Sequence, residues 1–238
     1  DFFPGWGITA TFAPLDRPGA LAAALRPETR VVWLESPSNP LLRVTDLAAS
    51  AAVAREAGAR VVVDNTFATP VLQRPIALGA DVVLHAAARG MGGHRDVQGG
   101  PLVFREEGGR LEEVRHVRHV LGAVSSPFNS WLVLRGLRTL AVRARFQAAS
   151  AAAVATALSE NTAVSKVNYP GLPSHPGHET ARRQMDAFGS MISFHVAGGR
   201  EAAIRAVGRA RLFTRATSLG GVESLIEHRA SMEGPNTR

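Results

Sequence analysis

Short runs of branched aliphatic residues recur at RVVWLE (30–35), RVVVD (60–64), DVVLH (81–85) and PLVF (101–104), separated by alanine-rich or turn-forming stretches. Continuous apolar runs of this length belong to strands buried on both sides, and intervening helices favour parallel pairing. The pattern predicts an α/β fold whose mostly parallel sheet is covered on both faces. A further strand is predicted at 8–12 and a short helix at 19–26, ended by Pro27. Asp46 can accept from the first N–H groups of a helix over 47–57, and Gly58 stands where a helix ends in the left-handed conformation. A Thr/Pro-bounded turn leads into a short segment at 71–78.

Beyond residue 105 the pattern changes. Helices are predicted at 111–121 and over the alanine- and arginine-rich run 130–158. A strand (164–167), a Pro/Gly turn (170–176), a helix (179–187), a strand (191–196) and a helix (201–209) follow, with an element of open type at 219–226. This predicts a large domain over 1–150 and a smaller α/β domain over 151–238, divided near Ser150. The last stretch, 234–238, has no closing element, so the second domain is expected to be incomplete.

Composition removes several chemistries. The chain has no cysteine, which excludes disulfides and thiolate nucleophiles. Of its 27 basic residues a single one, Lys166, is lysine, so any step needing a lysine amine has one candidate. The net charge of +7 comes from scattered arginines. The densest group, Arg135, Arg138, Arg143 and Arg145, is predicted to be a solvated helix face without interleaved aromatics, so nucleic-acid binding is not expected. No apolar run is long enough to span a membrane and no leader precedes Asp1, so a soluble cytoplasmic protein is expected. His116 with His119, and His175 with His178, lack a third ligand nearby, so no metal site is expected.

In an open parallel sheet, ligands bind beyond the carboxyl ends of the strands. Residues 35–40, 64–70 and 85–96 fall there. Asp64, at the end of three valines, either caps the next turn or meets a charged or hydrogen-bonded partner. Asn39 is either a turn residue or an amide aimed at a ligand. The glycine-rich stretch from Gly90 to His94 fits neither the dinucleotide nor the P-loop pattern.

Several of these segments resemble the pyridoxal-phosphate (PLP) enzymes of cysteine and methionine metabolism, which include cystathionine γ-synthase, cystathionine lyases and methionine γ-lyase. The similar stretches are VVWLESPSNPLLRVTDLAA (31–49), VVVDNTFATPVLQRPIALGADVVLHAA (61–87), GGHRDVQGG (92–100), NYPGLPSHPGHETARRQM (168–185), FGSMISF (188–194) and SLGGVESLIEHRASM (218–232). The resemblance implies PLP-dependent transferase fold type I, with a partial PLP-binding large domain over 1–150 and a partial C-terminal domain over 151–238. It implies pyridoxal 5′-phosphate as cofactor. Asp64 would pair with the pyridinium nitrogen, which keeps the ring an effective electron sink. Asn39 would lie near the ring's 3-hydroxyl, and Ser218 on the substrate-carboxylate side. Gly92, Gly93, His94 and Asp96 match the loop after the Schiff-base lysine.

The chain departs from this pattern at its centre. Where the family reads S-A-T-K, this sequence reads Ala86-Ala87-Ala88-Arg89. Ala86 and Ala88 stand at the positions of two phosphate-binding hydroxyls, and Arg89 at the catalytic lysine. A guanidinium stays protonated and has no amine lone pair with which to form an imine. Lys166, in the second domain, is expected to be a surface residue. Family members are also longer at both ends, where further cofactor and substrate groups lie. The expected function is therefore a degenerate homologue of trans-sulfuration enzymes, a non-catalytic or accessory subunit. It would form a homo-oligomer, or a hetero-oligomer with an active homologue. The alternative is a PLP-dependent carbon–sulfur lyase or synthase, acting by γ- or β-elimination or replacement, whose missing parts lie elsewhere. In that case His94 or His85 would be the substitute base.

Overall fold

The computed structural model describes residues 3–232. Four strands, β1 (Val31–Glu35), β2 (Arg60–Asp64), β3 (Val82–Leu84) and β4 (Leu102–Phe104), form one sheet in the order β1-β2-β3-β4. β1, β2 and β3 are parallel, and β4 runs antiparallel to β3. Helix α1 (Ala20–Ala24) precedes β1, α2 (Leu47–Glu56) joins β1 to β2, and α3 (Thr69–Leu72) follows β2. The start of α2 is fixed by Asp46, whose carboxylate accepts from the Ala49 N–H at 3.0 Å.

One sheet face is a core. Val32, Leu34, Val61, Val63 and Val83 pack against Leu47, Ala51 and Ala54 of α2, with Leu21 and Leu25 at the margin. The expectation of cover on both faces holds for this side alone. Val31 and Trp33, which point the other way, are 51% and 56% exposed. Both α1 and α2 pack on the Val32–Val61–Val83 side, and on the opposite side Val62, Val82 and Leu84 are half-buried. The strand expected at 8–12 is also absent, and Phe12 is 95% exposed. Its apolar residues have no neighbouring strand to complete a ladder, and an unpaired segment is not held in a sheet.

Helix α4 (Gly109–Val120) buries no residue. Helix α5 (Pro127–Ser159) has 33 residues, roughly 50 Å at the usual rise. Ser126 caps it by accepting from the Asn129 N–H at 3.2 Å, and Pro127 occupies its first turn. Its buried stripe, Gly136, Leu140, Ala144, Ala148, Ala151 and Ala155, is made of small residues except Leu140, which lets neighbouring backbone come close. Ser150 lies inside this helix without a break in it.

β5 and the residues after it pack along the last turns of α5. β5 (Val164–Asn168) pairs antiparallel with β6 (Ser193–Val196), and Tyr169 packs on Ala151 and Ala155. α6 (His178–Gln184) lies between them in sequence, followed after β6 by α7 (Gly199–Gly208). Two-residue strands β7 (Thr214–Arg215) and β8 (Leu225–Ile226) pair in parallel before α8 (Arg229–Met232). A buried polar network ties α6 to the sheet. Gln73 donates to the Ser36 carbonyl at 2.7 Å and to Asn65 Oδ1 at 2.8 Å, and Gln184 donates to Gln73 Oε1 at 3.1 Å. Each amide is satisfied, so the network fixes a single register rather than leaving buried polar groups unpaired.

Candidate active site

The carboxyl ends of β1, β2 and β3 converge on one edge. The sheet register sets Glu35, Asp64 and Leu84 side by side, all on the uncovered face. Asp64 Oδ1 accepts from the Thr66 N–H at 2.9 Å, the contact expected of a turn-capping aspartate. Partial burial, and then the charge of Asp64, raise the Glu35 carboxyl above its ordinary 4.5, against a lowering contribution from the Asn39 N–H. The folded chain therefore holds the Glu35 proton to higher pH than the unfolded chain, and this group opposes folding increasingly as pH rises through that window. Asp64→Asn is expected to let Glu35 titrate at lower pH, followed through its carboxyl carbon by NMR. An unchanged Glu35 midpoint would show that the two carboxylates do not sense each other.

Beyond β3 the chain makes a single π-turn, Ala87–Met91, in which Arg89 leaves helical geometry (φ −102°, ψ −128°). The Ala86 N–H donates to Thr66 Oγ1 at 2.8 Å, joining this turn to the segment after Asp64. Arg89 donates from its guanidinium to the Ser218 hydroxyl. Gly220 passes so close that a Cβ there would lie 2.8 Å from the Arg89 carbonyl carbon, and its φ of +73° suits glycine. Residues 64, 86, 88, 89 and 218 thus lie around one edge. Asn39 is exposed beyond the end of β1, with its N–H donated to Glu35 Oε1 at 3.3 Å.

Helix α5 holds both loops. The Arg143 guanidinium donates to the carbonyls of Gly90 (2.8 Å) and Gly136 (2.7 Å), and Gln147 donates to the Gly221 carbonyl at 2.7 Å. This corrects the expectation that Arg135, Arg138, Arg143 and Arg145 form one solvated face. Arg143 turns inward because its offset of seven from Gly136 puts both on the stripe that meets the 90–93 loop, and burial lowers its pKa. Sequence reading missed Thr66, Arg143 and Gln147. The spacing of Gly136, Arg143 and Gln147 at helical intervals was the available signal.

The other named residues are placed as follows. His85 is buried, and burial lowers its pKa against the raising effect of Asp64. His94 Nδ1 lies 3.1 Å from the Gly92 carbonyl. Lys166 is exposed on β5, and His116 and His119 are exposed on α4. His175 is buried, its Nδ1 accepting from the Gly177 N–H, and His178 stacks on Phe188 at 5.5 Å. Among the described residues no group of three or more His, Asp or Glu side chains could hold a metal, and no helix is long and apolar enough to cross a membrane.

Known proteins resemble this chain in both sequence and fold. The chain is 48% identical over 236 residues to cystathionine gamma-synthase of Mycobacterium tuberculosis (strain ATCC 25618 / H37Rv), covering 99% of this chain and 60% of the relative. It is 49% identical over 227 residues to cystathionine beta-lyase of Lactococcus lactis subsp. lactis, covering 95% and 59%. The crystal structure of metB from Corynebacterium glutamicum superposes with a TM-score of 0.94 at 43% identity, covering 97% of this chain and 60% of that one. Cystathionine gamma synthase from Xanthomonas oryzae, in complex with aminoacrylate and cysteine, superposes at 0.91 with 47% identity, covering 97% and 59%. The chain therefore spans about 60% of the length of the relatives it matches. The fold is that of PLP-dependent fold type I enzymes. The model of the Cys/Met metabolism PLP-dependent enzymes matches residues 1–237, and with relatives this similar on both measures the chain belongs to that family.

Proposed function

We propose that the chain is part of a trans-sulfuration protein whose reaction class is PLP-dependent γ- or β-elimination or replacement at the carbon–sulfur bonds of sulfur amino acids. The relatives named cystathionine gamma-synthase and cystathionine beta-lyase support this. The observation that carries it is Asp64 at the carboxyl end of the central parallel strand, on the edge where residues 86–89 and 218 also meet. PLP, the family's cofactor, acts as an electron sink when bound. Asp64 supplies a negative charge suited to the protonated ring nitrogen. We also propose a large unit over 1–150 and a small unit over 151–238, in a cytoplasmic oligomer.

The remaining groups do not fit PLP held in the family's manner. Ala86 and Ala88 carry no hydroxyl, the Ala86 N–H is already given to Thr66, and position 89 offers a guanidinium. No step is therefore derived through the cofactor. Arg89 favours a second reading, a non-catalytic subunit that assembles with an active homologue. The readings separate on one measurement, thiol release from L-cystathionine by the purified chain with PLP. Release above that of free PLP, or consumption of the L-cysteine thiol in the presence of an activated homoserine ester, lost in Asp64→Asn, supports the enzyme; neither above free PLP supports the subunit.

A further inference from the structure

Residues 216–224 form a loop whose two ends are held together. Thr214 and Arg215 of β7 pair with Leu225 and Ile226 of β8, so the base of the loop stays closed whatever its tip does. The tip is fastened by three side chains from elsewhere in the fold. Arg89 donates to the Ser218 hydroxyl, Gln147 to the Gly221 carbonyl at 2.7 Å, and Arg95 to Glu223 Oε1 at 2.8 Å. In each of these ties the loop is the acceptor.

With the tip down, loop and turn are in backbone contact. A Cβ at Gly220 would lie 2.4 Å from the Gly90 nitrogen, so nothing fits between Gly220 and the Arg89–Gly90 peptide. Passage there requires the tip to lift. Of the tip's apolar side chains, Leu219 is half-buried and Val222 is 59% exposed, so packing alone holds it weakly. Ser218 has a φ of +153°, which residues with a side chain rarely adopt and which lasts only where the surroundings enforce it. That strain favours lifting.

The three ties are unequal. The Arg95–Glu223 pair is open to water, where such pairs contribute little. Gln147 makes a neutral hydrogen bond. The Arg89–Ser218 bond is charge-assisted and partly buried, which makes it the strongest of the three. A guanidinium keeps its proton in a protein, so titration does not release this tie.

We propose that residues 216–224 are a lid hinged on the β7–β8 pair and that Arg89 is its latch, holding it shut over the turn after β3. Arginine at position 89 gives this edge a self-closing contact that an apolar side chain would not supply. The latch is a property of the folded chain alone and stands apart from the reaction class proposed above.

The test is limited digestion with a glutamate-specific protease, without PLP or any sulfur amino acid. Cleavage after Glu223 in the lid is timed against cleavage after Glu160, exposed at the end of α5. Cleavage of a transiently opened segment follows the population of its open form. Arg89→Met is expected to speed cleavage at Glu223 about tenfold or more, and Ser218→Ala about threefold or more, with Glu160 unchanged. The double variant should be cleaved no faster than Arg89→Met, because both changes remove one tie. Arg95→Gln should have a smaller effect than Arg89→Met. Circular dichroism and thermal unfolding check that each variant folds. If Arg89→Met does not fold, Arg89→Gln and Ser218→Ala decide instead. Unchanged cleavage at Glu223 in the folded variants, equal acceleration at Glu160, additive effects in the double variant, or a larger effect from Arg95→Gln would each overturn the proposal.

Discussion

Arg89→Lys is expected to form a borohydride-fixable adduct with PLP, where the native chain forms none at residue 89. The change supplies the missing amine at a position already framed by Asp64, Thr66 and Ser218. A lysine amine becomes nucleophilic when it loses its proton, which a guanidinium does not do in a protein. The measurement is a visible absorbance band, followed by reduction and mass analysis of the peptide containing residue 89. Labelling should rise from background to nearly one adduct per chain at saturating PLP. Adding Ala86→Ser and Ala88→Thr should tighten PLP further, by about tenfold or more, because each hydroxyl can donate to a charged phosphate. Failure of the triple variant to bind PLP, although folded, would show that this edge is no longer shaped for the cofactor. A fixable adduct on native Arg89 would contradict the chemistry outright.

The second large effect is on stability. Gly136→Ala is expected to cost about 2 kcal/mol or more and to lower the melting temperature by roughly 4–8 °C or more. A Cβ at Gly136 would lie 2.5 Å from the Gly92 carbonyl oxygen, with the Met91 carbonyl oxygen pressed as closely. Both atoms are backbone, so neither can swing away as a side-chain tip would. Relief requires α5 to move off the 90–93 loop, which pulls the Arg143 guanidinium from the Gly90 carbonyl. Thermal unfolding checks the prediction, with Gly208→Ala as a control, since a Cβ there meets nothing within 4 Å. Equal losses in the two variants would mean that the close approach is not what Gly136 provides.

Sequence reading recovered the elements whose signals are local. β2 appears over the predicted residues, α2 starts at the Asp46 cap, and the long α5 follows its alanine-rich run. It also brought Asp64 and residues 86–89 to the right end of the sheet, because strand ends can be placed once strands are parallel. What escaped depends on neighbours distant in sequence. The 8–12 segment has strand-like residues and no partner, and the open face of Trp33 reflects which side the helices took. Arg143 looked like its exposed neighbours Arg135, Arg138 and Arg145 until the 90–93 loop stood against one side of α5. Periodicity names a helix face, but not what lies across from it.

The uncovered side of the parallel sheet has a colloidal consequence. Val31 and Trp33 lie there, with Leu102 of β4 adding an apolar side chain that is 43% exposed. Val31 and Trp33 mark one edge of this side and Leu102 the other, and exposed apolar side chains promote self-association. The positive charge of +7 opposes that through long-range repulsion. Added salt screens the repulsion within about 8–10 Å while leaving the apolar attraction in force. Salt is therefore the variable that sets how concentrated the isolated chain can be before it clouds, and the indole of Trp33 is the built-in reporter of that change.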